Sequence, residues 1–167
     1  MKKFYLIVID MQNDFVYGKF GAPEAQTIVP VIQSKIDSED PKKIIYLEDE
    51  HEDTYSYTEE SRIYESHCEP NSRGRESVFK NRKENILVKD TFGYDYFFES
   101  TNIMNGDTIE ICGVCTDICV ISNALILRSL YPCSRIIVDA KACAGTTPEK
   151  HRAALEVMKS CAIDVIE

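Results

Sequence analysis

The segment DTIEICGVCTDICVISNALIL, residues 107–127, says most about the fold of this 167-residue chain. Residues 108–112, which include Ile109, Ile111 and Cys112, are predicted to form a buried strand. A short turn follows, and a helix is predicted over residues 117–130. Cys119 lies where the turn meets the helix. A strand followed by a helix in this way is the repeating unit of parallel sheets.

The same alternation continues on both sides of this segment. Strands are predicted at 4–9, 42–47, 86–88, 108–112, 135–138 and 163–166, and the main helices at 25–38, 117–130 and 148–159. We therefore expect one α/β domain over residues 1–167, with three αβα layers and a six-stranded, mainly parallel sheet. Residues 52–75 lack periodicity, and so long a loop in a compact domain is usually functional or disordered.

The composition narrows the class of protein. The formal charge is −9, and an acidic surface argues against sequence-independent binding of nucleic acid. No apolar run approaches the ~20 residues of a membrane span. A small-molecule substrate is the partner expected of such a chain. The seven cysteines are an odd number in a chain that is not short, which favours reduced thiols in the cytoplasm over a disulfide framework.

Several reactive side chains follow predicted strands, and ligands of parallel sheets bind beyond the carboxyl ends of the strands. In the first turn of a helix, the thiol of Cys119 would be favoured as a thiolate, and nearby N–H groups could hold an oxyanion. No histidine is an obvious base for it. Asp10 could take the thiol proton, with Lys89 as its charge partner. The alternatives are a buried structural cysteine and two solvated strand ends.

Two further groups of residues have the spacing of metal or redox sites. Asp49, His51 and His67 suit zinc, iron or manganese, with Glu60 as a candidate fourth ligand. An acidic surface loop is the alternative. Cys112 and Cys115 match C-x-x-C, which allows a redox pair or a thiolate metal site. The position of Cys112 inside an apolar strand argues against that interpretation.

Aromatic residues in the loops could line a pocket for a flat ring. Ordinary packing is the alternative for each of them. They are Phe15, Phe20, Tyr64, Phe92, Tyr94 and Tyr96.

Several motifs occur together and in order along nearly the whole chain. DMQNDF at residues 10–15 resembles a D-x-Q-x-D-F opening, and GVCTDICV at 113–120 resembles a G-[LVI]-A-T-[DE]-x-C-V nucleophile turn. Lys89 follows the third strand, and HRAAL at 151–155 is similar to a later H-x-x-A-L segment. On these motifs the chain resembles the isochorismatase-like cysteine hydrolases, and within them the nicotinamidase branch.

This resemblance implies a triad of Cys119, Asp10 and Lys89. It also implies a cis peptide bond between Val114 and Cys115, and an oxyanion hole made by the backbone N–H groups of Cys115 and Cys119. Cys115 stands where the family usually has alanine. The implied reaction is hydrolysis of nicotinamide to nicotinic acid and ammonia through a thioester on Cys119.

The resemblance also implies one divalent metal, with zinc expected before iron or manganese. Its ligands would be Asp49, His51, Glu60 and His67, and the substrate ring would pack against Phe15, Tyr64 and Tyr96. Residues 64–68, YESHC, depart from the branch's W-P-x-H-C segment. Members often form homo-oligomers, but the sequence identifies no interface.

Two rival functions remain at this point. The chain could be a sibling hydrolase that acts without metal on another small amide or on isochorismate. It could also be a non-catalytic zinc- or redox-binding protein that uses Cys112, Cys115 and Cys119.

Overall fold

Six strands form one sheet in the order β3-β2-β1-β4-β5-β6, and every neighbouring pair is parallel. The computed structural model describes residues 2–80, 82 and 85–167. The strands are β1 (Phe4–Ile9), β2 (Ile44–Asp49), β3 (Ile86–Lys89), β4 (Thr108–Val114), β5 (Arg135–Ala144) and β6 (Asp164–Ile166). The helices are α1 (Asn13–Val16), α2 (Pro23–Ser38), α3 (Phe97–Ser100), α4 (Ile121–Leu130) and α5 (Pro148–Ser160). The predicted α/β fold with a six-stranded sheet is confirmed.

Both faces of the central strands are covered, as expected for a parallel sheet. Glu110 of β4 faces α2, where it accepts a hydrogen bond from Lys35. Ile109 and Ile111 point to the opposite face, because side chains alternate along a strand, and both are fully buried. Helices therefore lie on the two faces of the sheet and complete the three layers.

Four predicted strands end later in the structure: β2 at Asp49, β3 at Lys89, β4 at Val114 and β5 at Ala144. β2 also begins later than predicted, at Ile44, and it includes Glu48 and Asp49. The apolar pattern ends before these residues, but Glu48 pairs with Arg82, and Asp49 pairs with Lys89, so the two carboxylates are buried with partners. Burial of a charge requires such a partner, and sequence periodicity does not reveal it.

Gly113 permits β4 to approach β1 closely at the carboxyl edge of the sheet. Its φ angle is +124°, and a Cβ atom there would lie 2.1 Å from the carbonyl oxygen of Ile9. Any side chain would clash with backbone, so only glycine fits this position.

The long loop after β2 is ordered by contacts with the first loop of the chain. A carboxylate oxygen of Asp14 accepts a hydrogen bond of 2.9 Å from the N–H of Cys68, and the N–H of Asp14 donates to the carbonyl of Gly74 at 2.9 Å. Segments 10–15 and 67–74 are thereby held together above the sheet edge. No helix in the described part of the chain is long and apolar enough to cross a membrane.

Candidate active site

Asp10, Lys89 and Cys119 meet at the carboxyl edge of the sheet. The Nζ atom of Lys89 lies 2.9 Å from Oδ2 of Asp10 and 3.7 Å from Sγ of Cys119. All three side chains are buried. Parallel strands produce this meeting, because Asp10 directly follows β1, Lys89 ends β3, and Cys119 lies in the turn after β4.

The burial and charges of these residues determine their ionisation. Burial raises the pKa of Asp10 to about 7, with repulsion from Asp49 adding to the effect and Lys89 opposing it. Burial would lower the pKa of Lys89, but Asp10 and Asp49 hold it well above its usual value. Burial and the nearby Asp10 raise the pKa of Cys119. The resting site thus pairs a cationic lysine with a carboxyl group that is able to exchange a proton near neutral pH.

The nucleophile turn is wound more widely than an α-helix. Residues Thr116–Val120 form a π-helical turn, after which α4 continues regularly. The carbonyl oxygen of Cys115 accepts hydrogen bonds from the N–H groups of Ile118 and Val120, at 3.0 and 3.1 Å. The peptide bond between Val114 and Cys115 is cis, as the resemblance implied.

The four expected metal ligands also converge. Nε2 of His51 lies 3.6 Å from Oδ2 of Asp49 and 3.8 Å from Oε1 of Glu60. Nε2 of His67 lies 3.8 and 3.9 Å from the same two oxygens. The ligand atoms of Asp49, His51 and His67 all lie within 4.8 Å of one another. Two imidazoles and two carboxylates facing one point form a donor set for a divalent transition metal.

Two details of the histidines support this fit. Nε2 of His51 is buried without a hydrogen-bond partner among the described residues. Nδ1 of His67 lies 2.9 Å from the carbonyl oxygen of Glu65, which holds the ring with Nε2 towards the carboxylates. Metal-binding histidines characteristically use the second ring nitrogen in this way.

Asp49 belongs to both groups of residues. Its Oδ1 atom contacts Lys89, while Oδ2 faces His51 and His67. Burial opposes ionisation of Asp49, but Lys89 and the two imidazoles hold its pKa below the usual range. One carboxylate therefore joins the lysine of the triad to the metal-ligand set.

A cavity of about 270 Å³ connects Cys119 with this ligand set. Its walls are largely apolar, and Asp49, Glu60 and His67 provide the polar side. The aromatic walls are Phe15, Phe20, Tyr64 and Phe92, and the remaining lining is Ala22, Ala25, Val114, Cys115, Ile118 and Ala144–Thr146. A flat ring with one polar atom matches this distribution.

The structure does not bring Tyr96 to this cavity. Its side chain is 62% exposed and is absent from the cavity lining, and its ring lies 6.0 Å from that of Tyr94. Tyr96 immediately precedes α3, and the side chain lies at the surface. Phe20 and Phe92, which were among the candidate aromatic residues, line the cavity instead.

The C-x-x-C interpretation receives no support from the geometry. Cys112 is fully buried in β4, where its thiol faces the carbonyl oxygen of Ile7 at 3.7 Å. All seven cysteines are free. Neither metal-competent group found in the described part of the chain includes Cys112 or Cys115.

Sequence reasoning assigned no role to three polar residues that support the site. Gln12 bonds to the backbone of Asp49, and Asn123 bonds to the carbonyl oxygen of Cys119. Nδ1 of His151 lies 2.8 Å from Oγ1 of Thr116, at the start of the nucleophile turn. The D-x-Q-x-D-F and H-x-x-A-L motifs contain Gln12 and His151, so two of the three carried a signal.

A parallel sheet that brings a thiol, a carboxylate and an ammonium group together at its carboxyl edge is an architecture of cysteine hydrolases. The chain belongs to the isochorismatase family, because residues 4–167 match the family described as the isochorismatase domain. It is therefore a hydrolase of this family, whose nicotinamidase members act on amide C–N bonds.

Relatives of the chain agree with this membership. The nicotinamidase of Schizosaccharomyces pombe is 26% identical over 96% of this chain and 91% of its own length. The structure of a Pyrococcus horikoshii pyrazinamidase in complex with zinc superposes with a TM-score of 0.81, at 25% identity and 99% coverage of both chains. A Bacillus subtilis nicotinamidase gives a TM-score of 0.78, at 26% identity and complete coverage of both chains.

Proposed function

We propose that the chain is a metal-dependent nicotinamidase, which hydrolyses nicotinamide to nicotinic acid and ammonia. One observation carries the proposal: a single apolar cavity joins Cys119 to the group of Asp49, Glu60 and His67. The relatives named nicotinamidase and pyrazinamidase add support. We place the reaction in the cytoplasm, where it would return the pyridine ring to NAD synthesis.

Asp49, His51, Glu60 and His67 would hold one divalent metal, and the zinc in the Pyrococcus pyrazinamidase favours zinc over iron or manganese. When bound, such a metal supplies a Lewis acid suited to the nitrogen of a pyridine ring. Phe15, Phe20, Tyr64 and Phe92 would pack around the ring. This arrangement would orient the carboxamide carbon towards Cys119.

In the proposed mechanism, Asp10 accepts the thiol proton while Sγ of Cys119 attacks the carboxamide carbon. The backbone N–H groups of Cys115 and Cys119 hold the resulting oxyanion, and loss of one such donor typically costs about 10²–10³ in rate. Asp10 then gives its proton to the departing ammonia, leaving a thioester on Cys119. Asp10 next activates water to release nicotinic acid, while Lys89 stabilises the carboxylate and the thiolate.

The direct test is release of ammonia from nicotinamide by the purified chain supplied with zinc. We expect turnover, and we expect Cys119→Ala to abolish it. Cys133→Ala is the matched control, because Cys133 is exposed and lies outside the cavity lining. No turnover by the unsubstituted chain, or full activity in Cys119→Ala, contradicts the proposal.

A second substitution separates the nicotinamidase from a metal-independent sibling hydrolase. His51→Ala removes an imidazole whose Nε2 atom has no hydrogen-bond partner among the described residues. We expect a loss of zinc and of nicotinamide turnover together. Turnover that persists in the zinc-free variant would instead favour the metal-independent sibling.

A further inference from the structure

Gln12 is fully buried, and each polar atom of its side chain is hydrogen-bonded to backbone. Its Oε1 atom accepts from the N–H of Asp49 at 2.8 Å. Its Nε2 atom donates to the carbonyl oxygens of Asp49 at 2.8 Å and of Arg75 at 2.9 Å. Both backbone polar groups of Asp49 on this side are therefore satisfied by one carboxamide.

The carboxamide of Gln12 takes over the hydrogen bonding to β2 beyond the residue at which β1 ends. The last regular bond between β1 and β2 at this edge runs from the N–H of Asp10 to the carbonyl of Leu47, at 2.8 Å. Asp10 then adopts a φ of 52°, and its carbonyl accepts from the N–H of Gln12 at 2.7 Å. In an uninterrupted parallel ladder that carbonyl would instead receive the N–H of Asp49. Here the N–H of Asp49 donates to Oε1 of Gln12 in place of the carbonyl oxygen of Asp10.

The replacement matters because two reactive carboxylates lie on either side of it. Asp10 can leave the ladder and direct its carboxylate at Lys89, whose Nζ is 2.9 Å away. Asp49 stays in strand conformation, with Oδ1 on Lys89 and Oδ2 facing the imidazoles. A buried N–H and C=O that lost these bonds would be left without partners at a cost in stability, so the end of β2 would shift to find new ones.

We infer that Gln12 is a positioning residue, which holds Asp49 so that its carboxylate is divided between Lys89 and the metal pocket. The inference rests on the metal site of the proposed function. It does not require that nicotinamide be the substrate.

Asn123 provides a matched control for burial and hydrogen bonding. It is also fully buried and also makes three bonds to backbone. Its Nδ2 atom donates to the carbonyls of Cys119 at 2.8 Å and of Phe92 at 3.1 Å, and its Oδ1 atom accepts from the N–H of Tyr94 at 2.8 Å. None of these bonds involves Asp49.

The test compares Gln12→Met with Asn123→Leu, since each keeps the approximate length of the side chain and removes its hydrogen bonds. Zinc affinity is measured by competition with a chromophoric chelator on metal-free protein, after circular dichroism has shown that each variant is folded. We expect Gln12→Met to weaken zinc binding about 10–100-fold, as loss of a group that orients a ligand typically does. We expect Asn123→Leu to stay within about threefold of the unsubstituted chain, although both variants unfold at lower denaturant concentration.

Unchanged zinc affinity in Gln12→Met overturns the inference, as does an equal loss in both variants, because general loosening would then explain the effect. Absence of zinc binding by the unsubstituted chain also overturns it. Zinc binding that shows the expected difference, in a chain that does not hydrolyse nicotinamide, supports the positioning role and rejects only the proposed substrate. The two claims therefore fail separately.

Discussion

Lys89 is the residue on which the charge balance of the site depends. Its side chain is 1% exposed and contacts two carboxylates, those of Asp10 and Asp49. Removing one member of a buried ion pair is far more destabilising than the pair itself is stabilising, because the remaining charge has lost its water and its partner.

The first prediction follows from this environment. In metal-free protein, we expect Lys89→Met to lower the free energy of unfolding by roughly 3–5 kcal/mol. Lys35→Met is the matched control, because Lys35 also bridges two carboxylates, Glu110 and Asp139, but its side chain is 24% exposed. We expect a smaller loss from it, because water still reaches Lys35 and its partner carboxylates, which are 13% and 12% exposed. Denaturant unfolding measures both values, and equal losses would refute the burial argument.

The positions of the individual reactive residues could be predicted from the sequence, but part of the cavity lining could not. Asp10, Lys89 and Cys119 stand directly after predicted strands or a turn, and parallel strands bring such positions to one edge. Tyr96 lies in a loop, where sequence does not determine whether a side chain faces inward. The same uncertainty hid the contribution of Ile118 and of Ala144–Thr146, which reach the cavity only through the folding of distant segments.

At the level of elements, α5 and the loop that joins β5 to it hold the nucleophile turn in place. His151 bonds to Thr116, and Asp117 accepts hydrogen bonds from the backbone and side chain of Thr146, at 2.7 and 2.6 Å. Gly145 fits between these groups, because a Cβ atom there would lie 2.8 Å from Asp117 and 2.9 Å from His151. The turn is therefore supported from the loop that follows β5.

The second prediction concerns the pH dependence of this contact. Burial lowers the pKa of His151, with Arg152 adding to the effect and Asp117 opposing it. The folded chain therefore protonates His151 at a lower pH than the unfolded chain, in which the pKa is near its ordinary value of about 6.5. As the pH falls below that value, the unfolded state binds more protons and stability decreases.

We expect the free energy of unfolding to fall less between pH 7 and pH 5.5 in His151→Asn than in the unsubstituted chain. Asparagine is chosen because its amide can retain a bond to Thr116. The other ionisable groups, including Asp10 and His67, are present in both proteins, so their contributions cancel in the comparison. Identical pH slopes would show that His151 is not the group responsible.

For the helix that carries Cys119, the sequence pattern did not determine how the first turn is wound. Apolar spacing predicted one helix over residues 117–130, but residues Thr116–Val120 are π-helical and α4 begins at Ile121. The hydrogen bonds of a π-helix span one residue more than those of an α-helix. A single turn is too short for sequence periodicity to distinguish the two.

For the whole molecule, the proposed metal would connect the end of β2 to a loop that has little regular secondary structure. Asp49 ends β2, His51 follows it, and Glu60 and His67 belong to the loop after it. In the part of that loop that the structure describes, the helical segments are short 3₁₀ turns at Asp53–Tyr57 and Glu60–Arg62. A metal that binds only the folded form stabilises it, by about 2.7 kcal/mol at a hundredfold excess over Kd.

The third prediction is that chelation will act locally. Without metal, we expect faster amide hydrogen exchange in residues 52–68 and a lower melting temperature. Exchange in β1 and β4 should remain slow, since their apolar side chains are buried within the sheet. Hydrogen exchange followed by mass spectrometry distinguishes this from a uniform rise across all strands, which would contradict a local role for the metal.

The architecture was the most predictable property of the molecule. Alternation of strands and helices limits the topology strongly, because crossover connections between parallel strands are nearly always right-handed. The cavity was less predictable, since loops separated by many residues form it and their packing depends on the finished fold. Phe15 and Phe92, which line the same cavity, illustrate this distance in sequence.

The strand order determines when the active site can form during synthesis on the ribosome. The amino-terminal strand β1 lies in the middle of the sheet, and its neighbour β4 starts roughly a hundred residues later, with Phe4 beside Thr108. A nascent chain that has emerged only as far as Lys89 already carries the aspartates and histidines of the site, but not its thiol. Cys119 is the last of the three triad residues to emerge, and it meets Asp10 only once β4 has docked against β1. Chemical reactivity is thus delayed until the centre of the sheet is complete.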